Sequence, residues 1–253
     1  YSNVWMLRDT EENLFFRPGL TWPRRTTSGI SIRLLNSGVI FGDKGPVCFI
    51  NDIAELSPSI GLAQSSAYSY LINLQVAAAD AAARSYEVGI IQKTPMPEIN
   101  VNQKIHLTCL ITQILKIKRE IEKTNELNHL FNYPPYIQCK NESITKTVDQ
   151  WALFINNSIN EGNIIQNQID EISFNTYGLC DSDKNLIRKA SSNRPSPINA
   201  PQPNVRCIAA DFLSYSLGTI FGRWDVRYAT GEREPPELPD PFAPLPACSP
   251  GML

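Results

Sequence analysis

Between Leu107 and Ile121 the apolar residues fall at Leu107, Leu110, Ile114, Ile117 and Ile121, at spacings of 3, 4, 3 and 4. Only a helix gathers residues so spaced onto one side, because 3.6 residues make a turn. The charged residues Lys116, Lys118, Arg119, Glu120, Glu122 and Lys123 mostly lie off that seam. The pattern is coiled-coil-like and predicts a long helix from Asn102 to about His129. A second helix is predicted from about Ile144 to Tyr177, carried by Ile144, Val148, Trp151, Ile155, Ile159, Ile165, Ile169 and Ile172. Gly162 and a cluster of asparagines weaken its middle. Only "NYPPYIQCKNES" separates the two, so they form either an antiparallel hairpin or a pair packed on the domain before them.

That preceding domain reads differently. Over residues 14–50, "ISIRLL" alternates apolar and polar, "NSG" supplies a turn, "VIF" follows, "GDKG" turns again and "VCFI" comes next. Short runs bounded by Gly, Asn and Asp predict antiparallel strands with tight connections. The alanine-rich stretch "SIGLAQSSAYSYLINLQVAAADAAARS" predicts a helix, and "YEVGIIQKTPMP" a return to strand that Pro95 and Pro97 end. After the long helices, "SSNRPSPINAPQPN" (191–204) reads as a proline-rich linker. A third helix follows over about 205–221, with Val205, Ile208, Phe212 and Ile220 on one side. "GRWDVRYATGE" then offers a short strand in which Trp224, Val226 and Tyr228 alternate with charged residues. The stretch from Pro235 to Pro250 holds seven prolines and should be extended. The expected architecture is α+β, with a mainly antiparallel β-rich lobe in 1–100, a long helical hairpin in 101–190 and a proline-rich linker, short helix and extended tail in 191–253.

Several function classes lack a foothold. Hydrophobic content of 42% and charged content of 19% fit a folded chain, and no apolar run approaches the ~18 residues of a membrane span. The opening "YSNVWMLRDTEE" shows no signal peptide and no initiator methionine, so the chain reads as a cytoplasmic protein and as a fragment cut from a longer one. The six cysteines, spaced 27 to 61 residues apart, form no C-x-x-C pair, and only two histidines, His106 and His129, accompany them. That excludes the short ligand spacing of a structural zinc site and suits free thiols. No phosphate-binding glycine loop, dinucleotide fingerprint or nucleophile elbow is present. No catalytic residue, cofactor-binding residue or metal ligand is assigned.

One patch stands out. Residues 14–50 carry Arg17, Arg24, Arg25, Arg33 and Lys44 against a single acid, Asp43, in a chain whose formal charge is −2. A surface that binds DNA needs cations for phosphates, hydroxyls and backbone N–H groups to fix register, and long side chains for base edges. Trp22 is placed to stack. Thr26, Thr27 and Ser28 offer hydroxyls, and Gly29, Gly42 and Gly45 allow close backbone approach. Trp22, Arg24, Arg25, Thr26, Thr27, Ser28 and Lys44 are therefore the candidate DNA-binding residues, unless the Arg-Arg pair is an ordinary solvated loop. Arg33 should lie on the face of its strand opposite Ile32 and Leu34.

"LFFRPGLTWPRRTTSGISIRLLNSGVIFGDKGP", "YLINLQVAAADAAARSYEVGIIQKTPMP", "IDEISFNTYGL" and "LSYSLGTIFGRWDVRYATGE" together resemble the region after the catalytic domain in large bacterial adenine-specific DNA methyltransferases. These are the type IIG-like restriction-modification enzymes of phage-defence systems such as BREX and DISARM. The blocks occur in the family's order and reach from about residue 14 to the end. The resemblance implies a target-recognition and spacer region that binds double-stranded DNA. It places S-adenosylmethionine and the catalytic Asn-Pro-Pro-Tyr tetrad in a methyltransferase domain elsewhere in the parent. This segment would then be no enzyme itself. Its partners would be DNA, that domain and other defence-system subunits, with no membrane. "NYPPY" is similar to the tetrad but has Tyr133 between Asn132 and the prolines, which shifts the register and reads as an inter-helix turn. A β-rich lobe feeding a long helix is also similar to the specificity subunits of type I restriction enzymes. The other reading of the residues is a domain-docking module of the same assembly that never touches DNA.

Overall fold

A computed structural model describes residues 14–76 and 84–253. About 51% of these are helical and 7% are in strands, and the sheets are small and antiparallel. The fold is α+β. The opening dodecapeptide and most of the alanine-rich run, 77–83, lie outside the described residues.

The chain divides into two compact units, each made of discontinuous stretches. The first takes residues 1–112, 166–194 and 241–244, and the second takes 113–165, 195–240 and 245–253. The expected segments at 1–100, 101–190 and 191–253 were cut along the chain, whereas the units collect pieces from distant parts of it.

In the first unit β1 (Gly19–Thr21) is the middle strand of a three-stranded sheet, flanked by β3 (Arg33–Leu35) and β4 (Val47–Cys48). Both pairings are antiparallel, with Leu20 opposite Leu34 and Cys48. β1 needs its glycine. A Cβ on Gly19 would lie 2.8 Å from the Cys48 carbonyl oxygen and 2.9 Å from Val47 Cγ1. The "NSG" turn uses Gly38 at φ 81°, in the left-handed region. The "GDKG" turn closes with Gly45 N–H donating to the Gly42 carbonyl at 3.1 Å. A second, two-stranded ribbon pairs β2 (Arg25–Thr26) with β5 (Arg84–Ser85).

The predicted alanine-rich helix is two helices, α1 (Leu56–Ala63) and α2 (Ser66–Gln75). Ser65 breaks them apart by capping α2, its hydroxyl accepting from Tyr68 N–H at 3.2 Å. Asp170 caps the same helix end from a distant part of the chain, accepting from Ser66 N–H at 2.8 Å and from the Gln166 amide at 3.1 Å. Burial, the largest influence, pushes the Asp170 carboxyl up. Arg194 Nη2 donates to the Gln64 carbonyl beside it, and its Nη1 stands 3.8 Å from Asp170.

The strand expected over "YEVGIIQKTPMP" is corrected. Strand geometry ends at Ser85, and Val88–Lys93 is a short helix, α3. The run of apolar residues there is equally compatible with one helical turn, and the local hydrogen bond from Thr94 N–H to the Ile90 carbonyl (3.0 Å) decides it.

The two long helices are α4 (Val101–Glu122) and α6 (Ile144–Thr176). They are the longest among the described residues. The α4 seam is buried at Leu107, Leu110 and Ile114, and α6 buries Trp151, Ile155, Ile165 and Ile169. In the first unit the start of α4 meets the end of α6, where the Gln103 amide donates to Thr176 Oγ1 at 3.0 Å. In the second unit the end of α4 meets the start of α6, with Ile121 packed in one cluster with Ile144, Val148 and Trp151. Each contact has the antiparallel sense. The connector carries one short helix, α5 (Pro135–Cys139). α7 (Asp181–Ala190) follows α6 and packs Ile187 against Phe174 and Ala67.

The second unit adds α8 (Val205–Ile220) and α9 (Val226–Thr230). The third helix stands where expected, but its buried residues are Ile208 and Tyr215, while Val205 and Ile220 are exposed. The strand expected over "GRWDVRYATGE" is corrected to helix. Asp225 caps it, its Oδ1 accepting from Arg227 N–H at 3.0 Å. An Asp two residues ahead of a free N–H outweighs the alternating pattern. Trp224 packs edge-on against Phe131 at 4.7 Å between ring centroids. The tail is laced to this core. Gly251 N–H donates to the Phe131 carbonyl at 2.8 Å, and Asp225 N–H donates to the Gly251 carbonyl at 2.9 Å. No helix among the described residues is long and apolar enough to cross a membrane.

Candidate nucleic-acid interface

The candidate patch is built on the β2–β5 ribbon. Its floor is Trp22, only 3% exposed, whose indole N–H donates to the Tyr86 carbonyl at 2.9 Å. Tyr86 itself is fully buried. Trp22 therefore fixes the ribbon from beneath, and the expectation that it stacks on a base gives way to a core role. An indole with this much apolar area and one donor is at home where the donor finds a carbonyl.

The backbone of Arg24 is clamped on both sides. Its N–H donates to the Lys44 carbonyl at 3.1 Å, and its carbonyl accepts from Tyr86 N–H at 2.7 Å. This brings the "WPRRT" and "FGDKGP" blocks together. The guanidinium is committed as well. Nε donates to both Glu87 carboxylate oxygens, at 3.1 and 2.9 Å, and Nη1 reaches Asp43 Oδ2 at 3.4 Å. The Glu87 hydrogen bond, and then its charge, push the Arg24 guanidinium up from its ordinary value. Lys44 is also paired with Asp43, at 3.3 Å, although its side chain is exposed. Two cations thus face two acids here, and one of the acids, Glu87, comes from 63 residues later in the chain.

Arg25 is exposed on the ribbon opposite Ser85. Thr26 stands opposite Arg84. The Thr26 and Ser28 hydroxyls are 2.9 Å apart, and Ser28 N–H donates to Thr26 Oγ1 at 3.1 Å. Thr27 and Ser28 are exposed at the ribbon's end. The structure therefore gathers Arg24, Arg25, Thr26, Thr27, Ser28 and Lys44 around one ribbon. Arg17 and Arg33 stand elsewhere. Arg17 lies over the Phe49 ring, 5.7 Å from its centroid. Arg33 is exposed on β3 with its Nε 3.4 Å from Ser31 Oγ, while Ile32 is buried.

Two residues that sequence reasoning passed over complete the patch, Arg84 and Glu87. The sequence reading assigns Arg84 and Ser85 to the end of the alanine-rich helix and begins the strand at Tyr86, and nothing local in "RSYE" announces the pairing with β2. The "NYPPY" stretch leads from the connector into α5. Asn132 is buried, with its N–H donating to the Lys123 carbonyl at 2.8 Å.

No family model and no curated protein matches the sequence.

Proposed function

We propose that the chain is the DNA-recognition and spacer segment of an adenine-specific DNA methyltransferase of the phage-defence type. The observation that carries this reading is the antiparallel ribbon presenting Arg25, Arg84 and the Thr26–Ser28 hydroxyls together, pinned by Trp22. Cations beside hydroxyls suit the phosphates of a duplex, and a two-stranded ribbon fits the major groove. The resemblance of the four sequence blocks supports the same reading. Methylating the N6 of adenine takes the base out of the stack, so one domain of the parent would hold the flipped base and S-adenosylmethionine. This segment would grip the duplex beside it. On this reading the segment transfers no methyl group, binds no cofactor and works in the cytoplasm.

A second reading, a domain-docking module without DNA contact, is favoured by one observation. Arg24, the first candidate contact, is already bound to two carboxylates. Fluorescence anisotropy of the full chain on a labelled duplex, over a range of salt, separates the two. DNA recognition gives an affinity whose log–log salt slope is about −0.9 per phosphate contacted. Absence of saturable duplex binding at low salt rejects it in favour of docking.

A further inference from the structure

We infer that Arg84, rather than Arg24, is the phosphate-gripping cation of this interface, acting with the hydroxyl of Thr26 directly across the ribbon. The inference rests on the DNA-recognition reading and assigns the contact within it. Phosphate binding needs a cation and a hydroxyl or N–H donor that arrive together. Arg24 has its Nε on both Glu87 oxygens and its Nη1 on Asp43, so a phosphate reaching it would meet two carboxylates. Among the described residues, Arg84 differs in its surroundings. It is exposed, and its guanidinium meets a neutral group, Nη1 donating to Asn73 Oδ1 at 3.4 Å. Thr26 and Arg84 are paired in register on antiparallel strands. Residues so paired project from the same face with their Cβ atoms about 5 Å apart. Thr26 in turn is hydrogen-bonded to Ser28, one of the exposed residues at this end of the ribbon. The register therefore sets Arg84 beside the hydroxyl-bearing Thr26 although the two are 58 residues apart in the chain.

The occupant is a backbone phosphate of duplex DNA. The test is duplex affinity of the full chain against salt for Arg84→Ala, Asn73→Ala, Arg25→Ala and Arg24→Ala. Arg84→Ala should lower the magnitude of the salt slope by about 0.9 and weaken binding roughly tenfold near 0.1 M salt. Asn73→Ala removes the structural partner of Arg84 but leaves the cation, so its slope should match that of the unaltered chain. Arg24→Ala should leave the slope unchanged. If Asn73→Ala reproduces the Arg84→Ala loss, Arg84 acts through the fold and the assignment fails. If Arg25→Ala lowers the slope while Arg84→Ala does not, DNA recognition stands and Arg84 is not its contact. If the unaltered chain binds no duplex, the reading and the assignment fall together.

Discussion

The indole of Trp22 and the carbonyl of Tyr86 are joined by a buried 2.9 Å hydrogen bond across 64 residues of chain. Replacing the indole by a phenyl ring leaves that carbonyl without its donor in a dry environment. Trp22→Phe should therefore destabilise the chain by about 1–3 kcal/mol. Urea denaturation reads this as a lower midpoint. An unchanged midpoint would mean that the ribbon is not held from beneath.

Glu87 sets the charge of the patch. Glu87→Gln removes one of the two carboxylates facing Arg24. On the DNA-recognition reading, duplex affinity at low salt should rise several-fold, because one repulsive charge leaves the surface. On the docking reading, duplex binding stays absent in both forms. Anisotropy at two salt concentrations is sufficient to decide.

Two glycines should respond to the same substitution with opposite sign. A Cβ at Gly218 would sit 2.4 Å from Trp224 Cδ1 and Nε1, whereas Gly89 has nothing within 4 Å. Gly218→Ala should destabilise by about 1–3 kcal/mol, since overpacking exceeds the helix-propensity gain. Gly89→Ala should stabilise by roughly 0.5–1 kcal/mol. Thermal midpoints of the two variants, compared with the unaltered chain, give both signs.

Asp225 should make the fold acid-sensitive. Its side chain is fully buried, and hydrogen bonds from Arg227 (2.8 and 2.7 Å) with a further one from Arg233 (3.2 Å) hold its carboxyl down to about 2. An unfolded aspartate titrates at about 4. The folded value is the lower one, so the stabilisation is complete above about 4 and is lost as the pH falls toward 2. Asp225→Asn should be less stable than the unaltered chain at pH 7 and should lack this part of the acid loss. Urea midpoints from pH 7 down to 2 would show parallel curves for the two chains if Asp225 played no part.

The long helices were legible because α4 and α6 repeat their apolar residues over many turns. A helix sets Leu107, Leu110 and Ile114 on one side, and there they are buried. The tight turns were legible for a similar reason, since Gly38 supplies a backbone angle that other residues avoid. Short elements were not. "YEVGIIQK" and "WDVRYAT" each carry both a strand-like and a helix-like pattern, and a single local hydrogen bond or the Asp225 cap chose helix. The patch was half legible. Arg24, Arg25 and the hydroxyls are consecutive in sequence, but Glu87 and Arg84 enter through a strand pairing that no local pattern announces. Burial of Trp22 could not be read from its neighbours, because it depends on a carbonyl 64 residues away.

The lacing of Gly251 to Phe131 and Asp225 also bears on how the protein is made. Asn36 donates to the carbonyls of Pro241 and Ala243, at 2.7 and 3.2 Å, so the first unit likewise waits for a distant piece of chain. As the polypeptide leaves the ribosome from its amino end, the first unit gains its last segment only when residue 244 has emerged, and the second only when residue 251 has. The early strands and the Trp22 ribbon must stay soluble for most of that interval. Translation that stalls near Pro235–Pro246 would leave both units without their closing segments.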